Sequence, residues 1–121
     1  MIRGSNGFKP GDRLLKRSEF LRLSRKGQRI HCRCFTGVVL PGTGGRSRLG
    51  ITVSRKVGSA VVRNRIKRIC RERFRTRRNL LPGAVDMNLI AKLQAGTSGN
   101  DELVRCLDQL FTKLVHSEPK R

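Results

Sequence analysis

The sequence contains few aromatic and few acidic residues. Its 121 residues include five Phe but neither Tyr nor Trp, and 8 Asp and Glu stand against 28 Lys and Arg. A sheet that reads several RNA bases by stacking needs more aromatic side chains, so that class of RNA-binding domain is disfavoured. The shortage of acids leaves a net charge of +20, which opposes compaction unless counterions or a polyanion offset it.

Long apolar segments are also missing. No run approaches the roughly 20 residues that cross a bilayer, and the N-terminus lacks the apolar core of a secretory signal. We therefore expect a cytoplasmic protein whose four cysteines are reduced thiols. A nucleic acid is the leading partner for so basic a chain, and an anionic membrane surface is the alternative.

The sequence offers no obvious set of catalytic groups. Its 8 carboxylates are scattered, with no pair placed for acid–base work. His31 and His116 are far apart, and each is typical of an exposed histidine. Cys32 and Cys34 could bind a metal with a more distant cysteine, but without a second close pair the spacing favours buried thiols. We predict neither catalytic residues nor a metal site in the protein.

Composition and periodicity predict one small domain of the α+β class. Residues 1–12 contain Gly, Ser and Pro with little to bury and are expected to form a flexible arm, while residues 116–121 form a polar tail. Within the domain, residues 13–115, the patterns predict the order α-β-β-α-β-α. The region of residues 29–40 or that of residues 46–54 could divide, which would give one more strand.

The first and last helices are predicted from their caps and from the spacing of their apolar residues. The first covers about residues 14–26, with Ser18 as its N-cap and Gly27 as its C-terminal stop. Phe20 on this helix could either join the core or face a ligand. The last helix has leucines at helical spacing and is expected to follow a capping-box-like Ser98.

Alternating residues predict the strands. In the strand predicted over residues 29–40, one face would carry Ile30, Cys32, Cys34, Thr36, Val38 and Leu40. The turn-forming segment Pro41–Gly45 should make a hairpin, so that the next strand, residues 46–54, returns antiparallel. A further strand alternates over residues 85–92.

Residues 57–75 predict a central helix with two distinct faces. Its apolar stripe consists of Val62, Ile66, Ile69, Cys70 and Phe74. Its charged face consists of Asn64, Lys67, Arg68, Arg71 and Arg75. Ser59 is the expected N-cap, because its hydroxyl can accept from a first-turn N–H.

Arg63 and Arg65 fall in the first turns of this helix, where the exposed amides favour anions and disfavour cations. Arginines at such a position indicate a site for an anion, most simply a phosphate backbone. The alternative is a solvated basic face. Glu72 is the only acid of the segment that could pair with these cations, so the residues favour binding of a polyanion.

A family signature lies in the segment Gly50-Ile-Thr-Val-Ser-Arg-Lys-Val-Gly-Ser-Ala-Val-Val-Arg63-Asn64-Arg65 and its continuation to Arg75. This segment resembles the protein subunit of bacterial ribonuclease P, which carries an Arg-Asn-Arg helix directly after a Val-Ser-Lys-Lys-type strand end. The resemblance extends from about residue 13 to residue 114. It implies a four-stranded sheet with three helices, similar to the second domain of ribosomal protein S5, and a left-handed connection through the basic helix.

The resemblance also implies two sets of RNA contacts. The catalytic RNA would be bound by the basic helix and the segment before it, through Arg55, Lys56, Arg63, Asn64, Arg65, Lys67, Arg68 and Arg71. The single-stranded 5′ leader of precursor tRNA would lie between the first helix and the open sheet face, against Phe20, Thr36 and Val38. Ser24 and Val38 stand where some members have aromatic residues, so base stacking should contribute less here.

The expected function is that of the ribonuclease P protein subunit. It would promote endonucleolytic removal of the leader to give the mature 5′ end of tRNA, while the RNA subunit carries the chemistry and mainly holds the Mg²⁺. We expect a monomer within the ribonucleoprotein, with the RNA subunit and precursor tRNA as partners and neither membrane nor DNA. Two alternatives use the same helix: a structural ribosomal protein that binds ribosomal RNA, and a DNA-binding module, which the absence of a dimerisation zipper disfavours.

Overall fold

A computed structural model describes residues 13–14, 16–42, 45–81 and 83–116. Within these ranges the chain forms three α-helices and four strands, in the order α1 Arg17–Lys26, β1 Gln28–His31, β2 Phe35–Pro41, β3 Arg48–Thr52, α2 Ala60–Arg77, β4 Val85–Ala91 and α3 Asn100–His116. Short 3₁₀ helices at Arg55–Val57, Arg78–Leu80 and Leu93–Thr97 lie between them. The predicted arm, residues 1–12, and residues 117–121 of the predicted tail lie outside the described residues.

The described strands form one mixed sheet in the order β1-β2-β4-β3. β1 pairs antiparallel with β2, and β2 pairs antiparallel with β4, whereas β3 runs parallel to β4. The crossover between the two parallel strands is α2. The predicted α+β domain of three helices and a four-stranded sheet is therefore confirmed. The left-handed path of the crossover and the likeness to the ribosomal domain stay predictions.

The region predicted as one strand over residues 29–40 divides into β1 and β2. The chain reverses at Cys32–Cys34, where the Cys32 N–H donates to the Phe35 carbonyl at 2.9 Å. This reversal places Ile30 on the same side of the sheet as Phe35 and Val39, in the main core. The prediction that Ile30 shares a face with Val38 is therefore wrong. The reversing segment contains neither Gly nor Pro, so local sequence gave no turn signal there.

The predicted hairpin at Pro41–Gly45 is also wrong. β3 runs opposite to β2, as expected, but β4 lies between them and pairs with both. The pairing of β3 with β4 joins strands separated by the whole of α2. Such a partner cannot be read from the residues that flank the turn, because it arrives later in the chain.

Two predicted helix caps are corrected by the structure. α1 begins one residue before Ser18, and its first turn is closed by Glu19 Oε1, which accepts from the Lys16 N–H at 3.2 Å. The Ser98 hydroxyl donates to the Gln94 carbonyl at 2.7 Å instead of capping α3. Both serines therefore lie beside a helix start without serving as its cap.

The main core lies between one face of the sheet and the helices α2 and α3. The predicted stripe of α2 is confirmed, because Ile66, Cys70 and Phe74 are fully buried and Val62 and Ile69 pack beside them. The apolar residues of β4, from Val85 to Leu89, and the leucines of α3 complete this core. The opposite face of the sheet, called the outer face below, is partly covered by α1.

Candidate nucleic-acid interface

The start of α2 is held by short-range contacts. The 3₁₀ helix Arg55–Val57 buries Val57 and leaves Arg55 and Lys56 exposed. Ser59 is the N-cap of α2, as predicted, since its Oγ accepts from the Val62 N–H at 3.3 Å. The two exposed cations therefore lie directly before a helix N-terminus, where the amides carry partial positive charge.

Arg63 and Arg65 are anchored to the protein. The Nε of Arg63 donates to the Gly58 carbonyl at 3.1 Å. Arg65 donates to Asn100 Oδ1 at 2.6 Å and to the Ser98 carbonyl at 3.3 Å, which ties α2 to the start of α3. The sequence suggested only an anion site for these residues, whereas the structure gives them a structural role as well. Each guanidinium keeps further N–H donors that can reach a phosphate.

A second group on α2 differs from these anchored arginines. The basic face, defined here as Asn64, Lys67, Arg68 and Arg71, has no side-chain hydrogen bond or ion pair to any other described residue. These side chains are exposed or half-buried. From Asn64 to Arg71, α2 therefore carries positive charge that the described part of the protein does not neutralise.

Near the C-terminal end of α2 the arginines are paired with acids. Asp108 of α3 accepts from Arg73 at 2.9 Å and from Arg77 at 3.3 Å. Glu72 pairs with Arg75, and this hydrogen bond lowers the pKa of the Glu72 carboxyl. The basic side chains of α2 without an acidic partner among the described residues thus lie between Arg63 and Arg71, before the paired arginines at the C-terminal end.

The outer face of the sheet carries the residues predicted to contact the leader. The strand register places one row of side chains side by side: His31, Thr36, Ile90 and Thr52. Thr36 is 9% exposed and its Oγ1 lies 3.2 Å from His31 Nδ1. Val38 is 2% exposed and packs under α1 with Leu23, so it supports the surface and offers little area of its own.

Phe20 connects the two predicted sites. Its half-buried ring packs on the outer face, next to Gly50. It also lines a cleft of about 170 Å³ at the edge of β3. The residues around this cleft are Arg13, Leu14, Phe20, Leu49, Gly50, Ile51, Lys67 and Arg71. The structure therefore brings an aromatic side chain of the predicted leader site next to two cations of the basic face.

A partly buried ion-pair network connects α1 to the sheet, and sequence reasoning missed it. Arg48 of β3 donates to Asp86 of β4 through Nε at 3.1 Å and through Nη2 at 2.9 Å, and to Glu19 Oε2 of α1 at 2.5 Å. Arg22 lies 4.0 Å from Asp86, which is 2% exposed. The hydrogen bond to Asp86 raises the pKa of Arg48. The only signal in the sequence is Asp86 at an outer-face position of a predicted strand.

The cysteines are buried thiols, as expected. All four are free. The sulfurs of Cys34 and Cys106 lie 3.3 Å apart, and burial raises the pKa of Cys34 to about 11. Within the described residues no group of three or more His, Cys, Asp or Glu side chains is placed to hold a metal ion. No helix in the described ranges has the length and apolarity needed to cross a membrane.

Comparison with known proteins identifies the family. A family model described as Ribonuclease P matches residues 8–115. The chain belongs to the ribonuclease P protein family. The ribonuclease P protein component of Desulforapulum autotrophicum is 44% identical over 115 residues, covering 95% of this chain and 98% of the relative. That of Desulfosudis oleivorans is 48% identical over 112 residues, covering 93% of each chain.

Solved structures of ribonuclease P proteins have the same fold. The RNase P protein of Staphylococcus aureus matches with a TM-score of 0.79 at 31% identity, covering 84% of this chain and 93% of that one. The RNase P protein of Thermotoga maritima matches with a TM-score of 0.76 at 29% identity, covering 88% and 97%. Membership of the family places this chain in tRNA processing as a ribonuclease P protein component.

Proposed function

We propose that this chain binds the catalytic RNA subunit of ribonuclease P and the 5′ leader of precursor tRNA, and so promotes endonucleolytic removal of the leader. One observation carries the proposal: the unneutralised basic face of α2 lies beside a cleft that Phe20 also lines. Cations bind the phosphate backbone without regard to sequence, and an aromatic ring adds stacking for an unpaired base.

The catalytic RNA is assigned to α2 and the segment before it. Lys67, Arg68 and Arg71 present charge without a carboxylate partner among the described residues, and Asn64 adds a neutral hydrogen-bonding group on the same face. Arg63 and Arg65 are oriented by their contacts with the protein, and each guanidinium retains further donors for RNA. Arg55 and Lys56 extend this surface before the helix. A guanidinium fork matches a phosphate in two hydrogen bonds, so replacement by Lys should weaken binding.

The leader is assigned to the outer face. Phe20 supplies a half-buried ring, and Thr36 a hydroxyl in the row that also contains His31 and Thr52. Val38 packs under α1 and so supports the outer face. Because Phe20 supplies the one phenyl ring at this face among the residues that the structure describes, leader binding would depend mainly on charge, with stacking on one or two bases.

The chemistry is assigned to the RNA subunit with Mg²⁺. The donor set of the described residues fits this division, because most of their carboxylates are partners of arginine and no three lie together as a metal site: Glu19 and Asp86 pair with Arg48, and Asp108 with Arg73. Mg²⁺ prefers oxygen ligands such as carboxylates and phosphates. RNA phosphates would then hold the ion, and the protein would act as a monomer that positions the two RNAs.

Reconstitution with the RNA subunit tests the proposal. The protein is expected to increase cleavage of precursor tRNA at low Mg²⁺ concentration and to show no cleavage when the RNA subunit is omitted. RNA that co-purifies with the protein should contain the ribonuclease P RNA. Recovery of ribosomal RNA alone, together with no effect on cleavage, would instead support a structural ribosomal role.

A further inference from the structure

The Phe20 ring packs directly against the backbone of Gly50. A Cβ placed on Gly50 would lie 2.5 Å from Cε1 and 2.7 Å from Cζ of Phe20, closer than carbon atoms can pack. The ring therefore rests on the bare backbone of β3. Any side chain at position 50 would push Phe20 away from the sheet.

The ion-pair network holds α1 at this depth. Arg48 lies two residues before Gly50 and so points to the same face of β3. It bonds Glu19, the neighbour of Phe20 in α1, and is itself fixed by the buried carboxylate of Asp86. This network of three charged side chains joins α1, β3 and β4 and opposes a movement of α1 away from the sheet.

The depth of Phe20 controls the shape of the cleft. The ring forms one wall of the space of about 170 Å³, and Lys67 and Arg71 belong to the same lining. If the ring rose, it would move into the cleft and change the distance between its surface and the cations. A single-stranded nucleotide would stack on the ring while its phosphate contacts a cation. Leader binding should therefore depend on the distance between the Phe20 ring and the cations of the cleft.

We propose that Gly50 and the network of Arg48, Asp86 and Glu19 are positioning residues for leader recognition. They set the depth of Phe20 and thereby the preference of the holoenzyme for leader-bearing over leaderless precursor tRNA, without touching RNA themselves. This inference rests on the leader role proposed above for Phe20.

The first experiment uses Gly50→Ala in the reconstituted holoenzyme. The ratio of the Kd values for leaderless and leader-bearing substrate is expected to fall about five- to tenfold, at the lower end of the range for loss of one stacked base. Assembly with the RNA subunit and its salt dependence should stay unchanged. Gly99→Ala is the matched control, because a Cβ on Gly99 meets no atom within 4 Å, and it should leave the ratio as it is.

A double-mutant cycle separates positioning from general damage. Phe20→Leu removes the ring, so Gly50→Ala should cause no further loss in that background if both act through the ring. Glu19→Gln keeps the acceptor for the Lys16 N–H but removes the charge that Arg48 binds. It is expected to lower the ratio partially, and it covers the case in which Gly50→Ala does not fold.

The outcomes distinguish the two proposals. If Phe20→Leu lowers the ratio while folded Gly50→Ala and Glu19→Gln leave it unchanged, the positioning role is wrong and the leader role of Phe20 stands. If Phe20→Leu itself leaves the ratio unchanged, both are wrong. Additive effects in the cycle would also overturn the positioning role, because independent sites add.

Discussion

Arginine serves two purposes in this protein, and the difference lies in what each guanidinium donates to. Arg63 and Arg65 donate to backbone and side-chain oxygens of the protein, whereas Arg68 and Arg71 meet no acceptor among the described residues. An anchored arginine presents its remaining donors in one geometry. An unpaired one retains its hydration and its freedom until an anion binds, so its contribution to affinity should depend strongly on salt.

Replacing Arg68 by Ala should therefore weaken assembly with the RNA subunit and flatten its salt dependence. Loss of one phosphate contact lowers the slope of log K against log salt concentration by about 0.7–0.9. Titrations at several salt concentrations would measure it. Arg105→Ala removes the same charge from an exposed position on α3 and is the control. Equal slopes for the two variants would contradict a contact specific to the basic face.

The buried thiols lead to a prediction about pH. Burial raises the pKa of Cys34 from an ordinary 9.0 to about 11 and also raises that of Cys32 and Cys70. Below pH 9 the Cys34 thiol is protonated in both the folded and the unfolded chain, so its contribution to stability is fully present. Above pH 9 the thiol ionises more readily in the unfolded chain, and this contribution is lost as the pH rises through about 11. We expect the free energy of unfolding to decline from about pH 9 upward. Urea titrations from pH 7 to 10.5 would measure it, and Cys34→Ala should reduce the decline.

At the scale of elements, α2 is fastened at both ends. Arg65 ties its first turns to the start of α3, and Asp108 of α3 accepts from Arg73 and Arg77 near its other end. Between these contacts Ile66 and Phe74 are fully buried. A helix held in this way presents its basic face as a rigid surface, so little ordering is required when RNA binds.

Ser59→Ala tests the cap that begins this helix. Loss of an N-cap serine costs about 0.5–2 kcal/mol of stability. Ser18→Ala is the control, since Ser18 is exposed and does not cap α1; its effect should stay within about 0.5 kcal/mol. Urea unfolding of both variants would give the two values. A loss of the same size in both would show that the Ser59 contact does not stabilise α2.

The sequence predicted correctly those features that depend on neighbouring residues of the same helix or strand. The stripe of α2, the alternation over residues 85–92, the cap at Ser59 and the stop at Gly27 follow from local rules and are confirmed. Contacts between residues that are distant in sequence could not be predicted from local patterns. The insertion of β4 between β2 and β3 and the approach of Arg48 to Asp86 join residues that are far apart in sequence. The two sites were predicted separately, and their meeting at one cleft required the fold.

At the scale of the whole molecule, charge is distributed unevenly. The net charge of +20 coexists with ion pairs that use Glu19, Glu72, Asp86, Glu102 and Asp108. These acids stabilise contacts within and between elements and leave the start of α2 unneutralised. Self-repulsion of the excess charge opposes the folded state, so a bound polyanion should both fill the site and stabilise the fold.

Multivalent anions should therefore raise the Tm. Pyrophosphate at 100 times its Kd would add about 2.7 kcal/mol of stability, which corresponds to a rise of about 10 °C for a domain of this size. Thermal unfolding at constant ionic strength, with chloride as the reference, would measure this rise. The Arg68→Ala, Arg71→Ala double variant should show a smaller rise than the unmodified chain. Identical Tm values in chloride and pyrophosphate would contradict an anion site.

The central position of β4 has a consequence for how the chain acquires its structure. β4 is the last strand along the chain, yet β2 and β3 both depend on it as their shared neighbour. During synthesis, β3 and α2 leave the ribosome before β4, the strand that pairs with β3 along its length. We expect a chain that ends at Leu81 to remain unfolded by circular dichroism, so the protein becomes competent for RNA only after most of it has been translated.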